Sequence, residues 1–338
     1  MAADVSIIIV NWNAQHLLPR CLDAVHREML ASGLSCETII VDNDSSDGSV
    51  ALVRREYPWV QVIETGTNGG MAAGNNAGML AAEGRNLLLL NSDAFLQPGS
   101  LNAMVAAIEE SADIGMVSPQ LLNDDGSVQR SVRGFPTLWR IATEFLYLRK
   151  LAPRTRLFNA YYCGSFAHDH STDVEWVMGA CMMVGRDAID QVGLMNEAYF
   201  MYAEEVDWQY RMHEAGLRVR FDPAAEVVHL GGGSSSRSWG TMYPRQVSSI
   251  VRFLATCRGH AVARRAQLLI SVSMRLRALL YAAGSLVPLH GRAGRWQRSR
   301  AFASAGAAVR GIDLEDAAQT SIPDWPVKHQ PAPASIDR

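Results

Sequence analysis

Several features that commonly announce a function are missing from this 338-residue chain. Its five cysteines (Cys21, Cys36, Cys163, Cys181, Cys257) are odd in number, scattered and without C-x-x-C spacing. That argues against a disulfide framework or a structural zinc site and favours a reducing compartment. No run of about 18 uninterrupted apolar residues exists, which argues against a membrane-spanning helix. Met1-Ala2-Ala3-Asp4 lacks a basic n-region, and the apolar run from Ile7 to Val10 is too short for a signal peptide. The expected location is the cytoplasm, at a membrane face. Acid is also missing from one long segment: Leu230 to Ile312 holds 13 arginines and no Asp, Glu or Lys. The rest of the chain has 34 acids against 18 basic residues, so the net charge of -3 divides into -16 outside the segment and +13 within it. A split of this size suits a negatively charged partner such as an anionic membrane surface or a lipid-diphosphate. A solvated helical appendage or a homo-oligomer interface is the plain alternative. Arginines without interleaved aromatics or a recognition motif imply no specific nucleic acid.

What is present is a globular composition, with 48% hydrophobic and 19% charged residues. It is enough for one large domain or two smaller ones with a substantial core. Val5–Val10, Glu37–Val41, Val60–Ile63 and Asn86–Leu90 read as buried strands. Helical spacing at Leu17–Leu30, Ser49–Glu56, Gly70–Ala82 and Pro98–Ser111 separates or follows them. This alternation predicts βαβ units and an α/β, mostly parallel sheet flanked by helices. Ligands of such sheets bind at the carboxyl ends of the strands, where Asp42, Asp44 and Asp93 fall. Shorter strands follow, then a helix from Glu204 to Ala215 with Gly216 as its stop. Gly231–Ser236 reads as a flexible loop. Tyr243–Ala283 is mainly helical, with Leu268, Leu269, Val272, Leu276, Leu279, Leu280 and Ala283 in one apolar stripe. The proline-bearing tail from Asp313 is expected to be disordered.

Four segments carry candidate chemistry, each with a plainer reading. Asp42–Ser49 combines a strand end with turn formers; it would either cap the next helix or recognise a nucleobase and ribose. Asn68–Gly78 is glycine-rich and enters a helix, which suits either a diphosphate or tight helix–sheet packing. It lacks the Gly-Lys-Ser/Thr ending of a P-loop. Asn91-Ser92-Asp93 follows four leucines, and a carboxylate there would suit Mg²⁺ or Mn²⁺ on a phosphorylated ligand. Glu204-Glu205-Val206-Asp207 is an acidic helix start favoured by the macrodipole. The same like-charge crowding raises a carboxylate's pKa, as a general base requires. His229 lies on an apolar strand, as a core histidine or a metal ligand.

Taken in order, these segments resemble the family 2 glycosyltransferases with a GT-A (Rossmann-like) fold, and within them the rhamnosyltransferase-like members. The matching pieces are Ile7–Asn13, Val41–Ser49, Asn68–Gly70 with Gly74–Gly78, Leu90–Asp93, Trp176–Ala180, Phe200–Trp208 with Arg211, and Val228-His229. The resemblance covers about residues 5–235. It implies a GT-A domain over 1–235, beyond which the composition gives an arginine-rich helical extension over 236–312 and a disordered tail over 313–338. It implies inverting, metal-dependent transfer of a sugar from a nucleotide-diphosphate sugar, of the dTDP-rhamnose or UDP-hexose type. The acceptor would be a hydroxyl of a glycan or lipid-linked saccharide in cell-surface polysaccharide synthesis. Glu205 would be the base where the family usually has Asp, with Asp207 as fallback. Asp93 and His229 would hold Mg²⁺ or Mn²⁺. Donor contacts would come from Asn11, Asp42, Asp44, Asn68, Gly69, Asn75, Asn91 and Asp93, and acceptor contacts from Trp176, Gly179, Ala180 and Glu204. A sugar nucleotidyltransferase is the alternative enzyme. It usually carries a glycine-rich, lysine-bearing loop after the first strand, where this chain has Asn11-Trp12-Asn13. A non-catalytic nucleotide- or carbohydrate-binding module is the third reading.

Overall fold

The computed structural model describes residues 3–155, 157–231, 239–286 and 292–326. Strand β1 (Val5–Asn11) is buried along its whole length, as a continuous apolar run on a sheet covered on both faces should be. Helix α1 (Leu18–Ser32) covers it with Leu18, Cys21, Leu22 and Val25, one stripe at helical spacing. The chain continues through β2 (Cys36–Asp42), α2 (Ser49–Glu56), β3 (Gln61–Glu64), α3 (Gly70–Ala81) and β4 (Asn86–Asn91). β1 pairs in parallel with β2 and β4, and β2 with β3. The register sets Asn11 beside Asp42 and Val10 beside Asn91, so the polar strand ends share one sheet edge. The glycines of α3 serve packing. A Cβ on Gly78 would lie 2.3 Å from Ile8, and one on Gly74 would lie 2.8 Å from Val10.

The second half is irregular. It comprises β5 (Ala94–Leu96), α4 (Ser100–Ile108), β6 (Ile114–Leu122), β7 (Val128–Gln129), β8 (Val132–Arg133), α5 (Leu138–Phe145), β9 (Thr172–Val174), β10 (Trp176–Val177), β11 (Cys181–Gly185), α6 (Arg186–Val192), α7 (Glu204–Glu214) and β12 (Arg218–His229). The main sheet runs β3-β2-β1-β4-β11-β6-β12-β5, with β7 and β9 at its sides. β11 is antiparallel to both neighbours, so the parallel order expected from the sequence holds for the first four strands and becomes mixed beyond them. β8 and β10 form a separate antiparallel ribbon.

Helices α8 (Trp239–Arg258), α9 (His260–Leu286), α10 (Arg292–Arg310) and α11 (Leu314–Ala317) follow. Gly259, at φ +85°, turns the chain between the first two. Val247, Val251 and Leu254 of α8 share a core with Val206 of α7 and Tyr199, so the extension buttresses the helix that carries the acidic pair. Two expectations change here. The tail does not begin as disorder: Ser321 exchanges hydrogen bonds with Asn196 and Glu197, and the Trp325 indole donates to Asp190 while Arg186 lies over its ring. Prolines bar helix but not extended packing, and one tryptophan supplies a large apolar anchor. The apolar stripe of α9 is also turned outward. Its buried face is built from Ala263, Ala266, Ile270 and Met274, while Leu268, Leu276, Leu279 and Leu280 are each more than half exposed. Small residues on the inner face let α9 approach its neighbours closely. The loop expected at Gly231–Ser236 lies outside the described residues from Gly232 onward, as does the tail beyond Pro326.

Candidate active site

At the shared strand edge a cavity of about 560 Å³ opens. Its wall includes Asn68, Asn91, Asp93, Trp176, Gly179, Ala180, Glu204, Glu205 and His229. Nine of the expected site residues thus meet on one surface.

Asp93 and His229 meet through β5, a strand the periodicity of the sequence does not announce. β5 pairs antiparallel with the end of β12, setting His229 opposite Ala94. The Leu230 N–H donates to the Asp93 carbonyl at 3.1 Å. His229 Nε2 then stands 3.4 Å from Asp93 Oδ1. Gln129 of β7 fixes the imidazole from behind. Its Nε2 donates to the His229 carbonyl at 3.1 Å, so its Oε1 is the acceptor that lies 2.6 Å from His229 Nδ1. The hydrogen-bond network therefore places the proton of a neutral imidazole on Nδ1 and leaves a lone pair on Nε2. Two lone-pair atoms then face one another, an arrangement that a proton or a cation between them relieves. The residues fit a divalent metal. Among the described residues no group of three or more His, Cys, Asp and Glu could hold one. The protein would supply two ligands, and the remainder would come from substrate oxygens and water, the usual arrangement for Mg²⁺ on phosphates.

Glu204 and Glu205 open α7 after a strained entry. Tyr202 and Ala203 both have positive φ, 70° and 68°, which side-chain-bearing residues rarely adopt. One Oε2 of each glutamate is buried without a hydrogen-bond partner among the described residues. Burial pushes the Glu205 carboxyl up to about 7, against the backbone N–H groups of the first turn, which pull it down. Burial and then the neighbouring Glu205 charge push Glu204 well above the usual carboxylate range. Glu205 also packs on Gly179, where an added Cβ would lie 3.5 Å from its Cβ and Cγ. A buried carboxyl raised toward neutrality can take a proton from a hydroxyl in the cavity.

Asp207, the fallback base, is not in the cavity. It is 1% exposed, accepts from Arg211 Nε at 3.0 Å and lies 3.4 Å from Cys257 Sγ. Two residues along a helix is about 200° of rotation, so Glu205 and Asp207 face opposite ways. Arg211 in turn donates to the carbonyls of Val192 and Leu194, making Asp207 part of a brace. Asn11, Asp42, Asp44, Gly69 and Asn75 also lie off the cavity wall. The Asp42 carboxylate is taken up internally, by Asn11 Nδ2 at 2.6 Å and the Ser45 N–H at 2.9 Å, and holds the loop after β2. Asp44 is exposed in a left-handed turn. Asn75 is buried within α3. Gly70 stands where Gly69 was expected to matter. With φ +85° and a Cβ position 1.9 Å from the Phe200 carbonyl, it lets the start of α3 dock on the segment before α7.

Cavity residues beyond the expected site residues include Trp12, Asn43, Gln129, Arg133 and Tyr162, along with Tyr243 and Gln246 from α8. The site therefore draws on both sides of the boundary expected at 235. Of these, Trp12 and Asn43 fall within the strand-end segments Ile7–Asn13 and Val41–Ser49, and the others had no local signal.

Comparison with known proteins follows the same lines. Residues 6–168 match the family model described as Glycosyl transferase family 2. An N-acetylglucosaminyl-diphospho-decaprenol L-rhamnosyltransferase of Mycobacterium tuberculosis is 30% identical over 280 residues, 74% of this chain and 90% of its own. A low-salt glycan biosynthesis hexosyltransferase of Haloferax volcanii is 26% identical over 235 residues, 68% of each chain. A solved structure of a mannosyltransferase from Pyrobaculum calidifontis, in complex with GDP-Man and Mn²⁺, superposes with a TM-score of 0.55 at 16% identity, covering 92% of this chain and 87% of that one.

Proposed function

The chain belongs to the glycosyl transferase family 2 and is a glycosyltransferase of rhamnosyltransferase-like type, and from that premise we propose that it performs an inverting, metal-assisted transfer. The sugar would come from a nucleotide-diphosphate donor of the dTDP-rhamnose or UDP-hexose type. The acceptor would be a hydroxyl of a lipid-linked saccharide in cell-surface glycan synthesis. The observation that carries this reading is the convergence of Asp93–His229 and Glu204–Glu205 on one cavity.

Glu205 takes the proton of the acceptor hydroxyl. The freed oxygen attacks the anomeric carbon on the face opposite the diphosphate, whose bond to that carbon breaks, and the configuration inverts. Asp93 and His229 would hold Mg²⁺ or Mn²⁺, which when bound supplies positive charge to the leaving diphosphate. Asn43, Asn68 and Asn91 offer amide groups for the donor, and Trp12 an aromatic face. Trp176, Gly179 and Ala180 shape the place of the acceptor beside the base. Thermal-shift screening of nucleoside diphosphates and their sugars with Mg²⁺ or Mn²⁺, followed by product analysis, tests the reading. Metal-dependent stabilisation by one nucleotide sugar and an inverted anomeric linkage are expected. Release of pyrophosphate instead of nucleoside diphosphate would turn the assignment to nucleotidyl transfer.

The outward face of α9 fits an anionic bilayer surface at the inner face of the cell membrane. At 100° per residue, exposed Arg264, Arg265 and Arg275 share that face with Leu268, Val272, Leu276 and Leu279. By length and composition α9 is also apolar enough to cross a membrane. However, its inner face is packed on α8 and α10, which suits a helix lying in the interface. Each arginine near an anionic surface adds about 1 kcal/mol. Pelleting with phosphatidylglycerol vesicles, lost in Leu276→Glu/Leu280→Glu and at high salt, is the expected result. Unchanged pelleting with a dimer converted to monomer would assign the face to a second copy of the chain.

A further inference from the structure

Three arginines line the cavity, and one stands apart. Arg140 forks onto Glu175 at 2.5 and 2.6 Å. Arg245 is exposed and lies over the Phe200 ring. Arg133 is half-buried on β8, opposite Trp176 of β10. Its Nη1 donates to the Val132 carbonyl at 2.8 Å, its Nη2 lies 3.5 Å from Met178 Sδ, and its guanidinium sits 4.9 Å from the centre of the Tyr162 ring. Among the described residues no carboxylate pairs with it, and of its five N–H donors only one meets an oxygen. Arginine stays cationic even when desolvated. A cation held away from water without a counter-charge is costly, and an arriving anion relieves that cost. Trp176 lines the same wall, and its Nε1–H is buried without an acceptor among the described residues.

We propose that Arg133, with the Trp176 indole N–H, seats a phosphate of a diphosphate-bearing substrate, and that this diphosphate is the acceptor's, joining its saccharide to a lipid. The inference rests on the transferase reading above. A planar fork and an N–H matched to phosphate oxygens give the chemistry. The choice of acceptor over donor comes from a chain of contacts. Glu205 packs on Gly179, and Met178 beside it touches Arg133. Arg133 lies over Tyr162, which also carries Arg149 at 4.7 Å, and Arg149 pairs with Glu144 of α5. Beyond Glu144, Leu146 and Tyr147 are exposed, and Arg277 of α9 donates to the Glu144 and Phe145 carbonyls. Base, cation and apolar surface thus follow in the order hydroxyl, diphosphate, lipid. The donor diphosphate has its own place at Asp93 and His229.

The test compares wild type with Arg133→Gln and Arg133→Lys, using one donor and two acceptors. One acceptor is a saccharide on a lipid diphosphate; the other is the same saccharide as a neutral alkyl glycoside. For Arg133→Gln we expect KM for the diphosphate acceptor to rise by about ten-fold or more, with KM for the neutral acceptor and the donor held. Lysine should recover part of the loss, since it keeps the charge but not the fork. A rise in donor KM alone would move the seat to the donor's diphosphate and overturn the acceptor assignment. Equal losses with both acceptors would overturn the seat itself. Inorganic pyrophosphate, titrated in EDTA and followed by thermal shift, reads the seat without any transfer. Binding that wild type shows and both Arg133→Gln and Trp176→Phe weaken supports it. Equal binding by all three overturns it, whatever the fate of the transferase reading.

Discussion

His229 Nε2 stands 3.4 Å from Asp93 Oδ1, with Gln129 Oε1 2.6 Å behind the other ring nitrogen. The pair sits where β12 ends beside the start of β5: His229 closes β12, and Asp93 occupies the two-residue turn between β4 and β5, tied down by the Leu230 N–H on its carbonyl. That rigidity is what a two-ligand metal site needs, because the protein contributes few bonds and must place them well.

Asp93→Ala and His229→Ala are expected to abolish the metal dependence of donor affinity. Gln129→Leu should weaken Mn²⁺ binding by about 10–100-fold while leaving the ligands in place. Calorimetric titration of Mn²⁺ with a nucleoside diphosphate present reads all three. Equal binding in Gln129→Leu and wild type would remove Gln129 from this role.

Glu205→Gln is expected to lower kcat by about 10²–10⁴-fold with donor affinity retained. Asp207→Asn should behave oppositely. Losing the buried partner of Arg211 should destabilise the fold by about 3–5 kcal/mol, with kcat per folded molecule preserved. Urea midpoints alongside initial rates separate base from brace. A catalytic defect in Asp207→Asn at full stability would reverse the two.

The raised Glu205 pKa makes two pH predictions. Activity should rise with pH to a plateau with a midpoint of about 7, as the base loses its proton. Stability should run the other way. A carboxyl whose folded pKa lies above its ordinary 4.5 stabilises the fold fully below 4.5 and loses that contribution as pH rises through about 7. Glu205→Gln should therefore gain stability over wild type at pH 8 and not at pH 4. Denaturant titrations at the two pH values measure it, and a pH-independent difference would contradict the burial of this group.

Gly70→Ala should cost about 1–3 kcal/mol from its positive φ alone, and more from collision with the Phe200 carbonyl. Because Phe200–Tyr202 leads into Glu204, the folded variant should also lose kcat. A stable, fully active Gly70→Ala would show that the α3 start and the α7 entry are not coupled.

Much of this site is legible in the sequence. β1, β2 and β4 are short, apolar and strictly bounded, so their ends can be placed and Asn91, Asp93 and the acidic start of α7 recognised as candidate chemistry. Three things are hidden. β5 is three residues long, too short for a period to show, yet it brings His229 to Asp93. Asp207 looks equivalent to Glu205 because both are acids in one turn; helix phase separates them. The leucine stripe of α9 has the spacing of a buried face, but the small residues opposite it pack more closely.

Local periodicity and strand-end chemistry, both properties of neighbouring residues, were enough for the sequence alone to determine the α/β framework and to mark Asp93 and Glu205 as candidates, while the resemblance of the ordered segments pointed to the family. Tertiary structure decided which donors and acceptors were left unpaired. The Asp42 carboxylate is spent on Asn11 and Ser45, the Asp207 carboxylate on Arg211, and Arg133 is left in the cavity without a counter-charge among the described residues. Whether a polar group is satisfied depends on partners brought in from distant parts of the chain, and no local pattern records them.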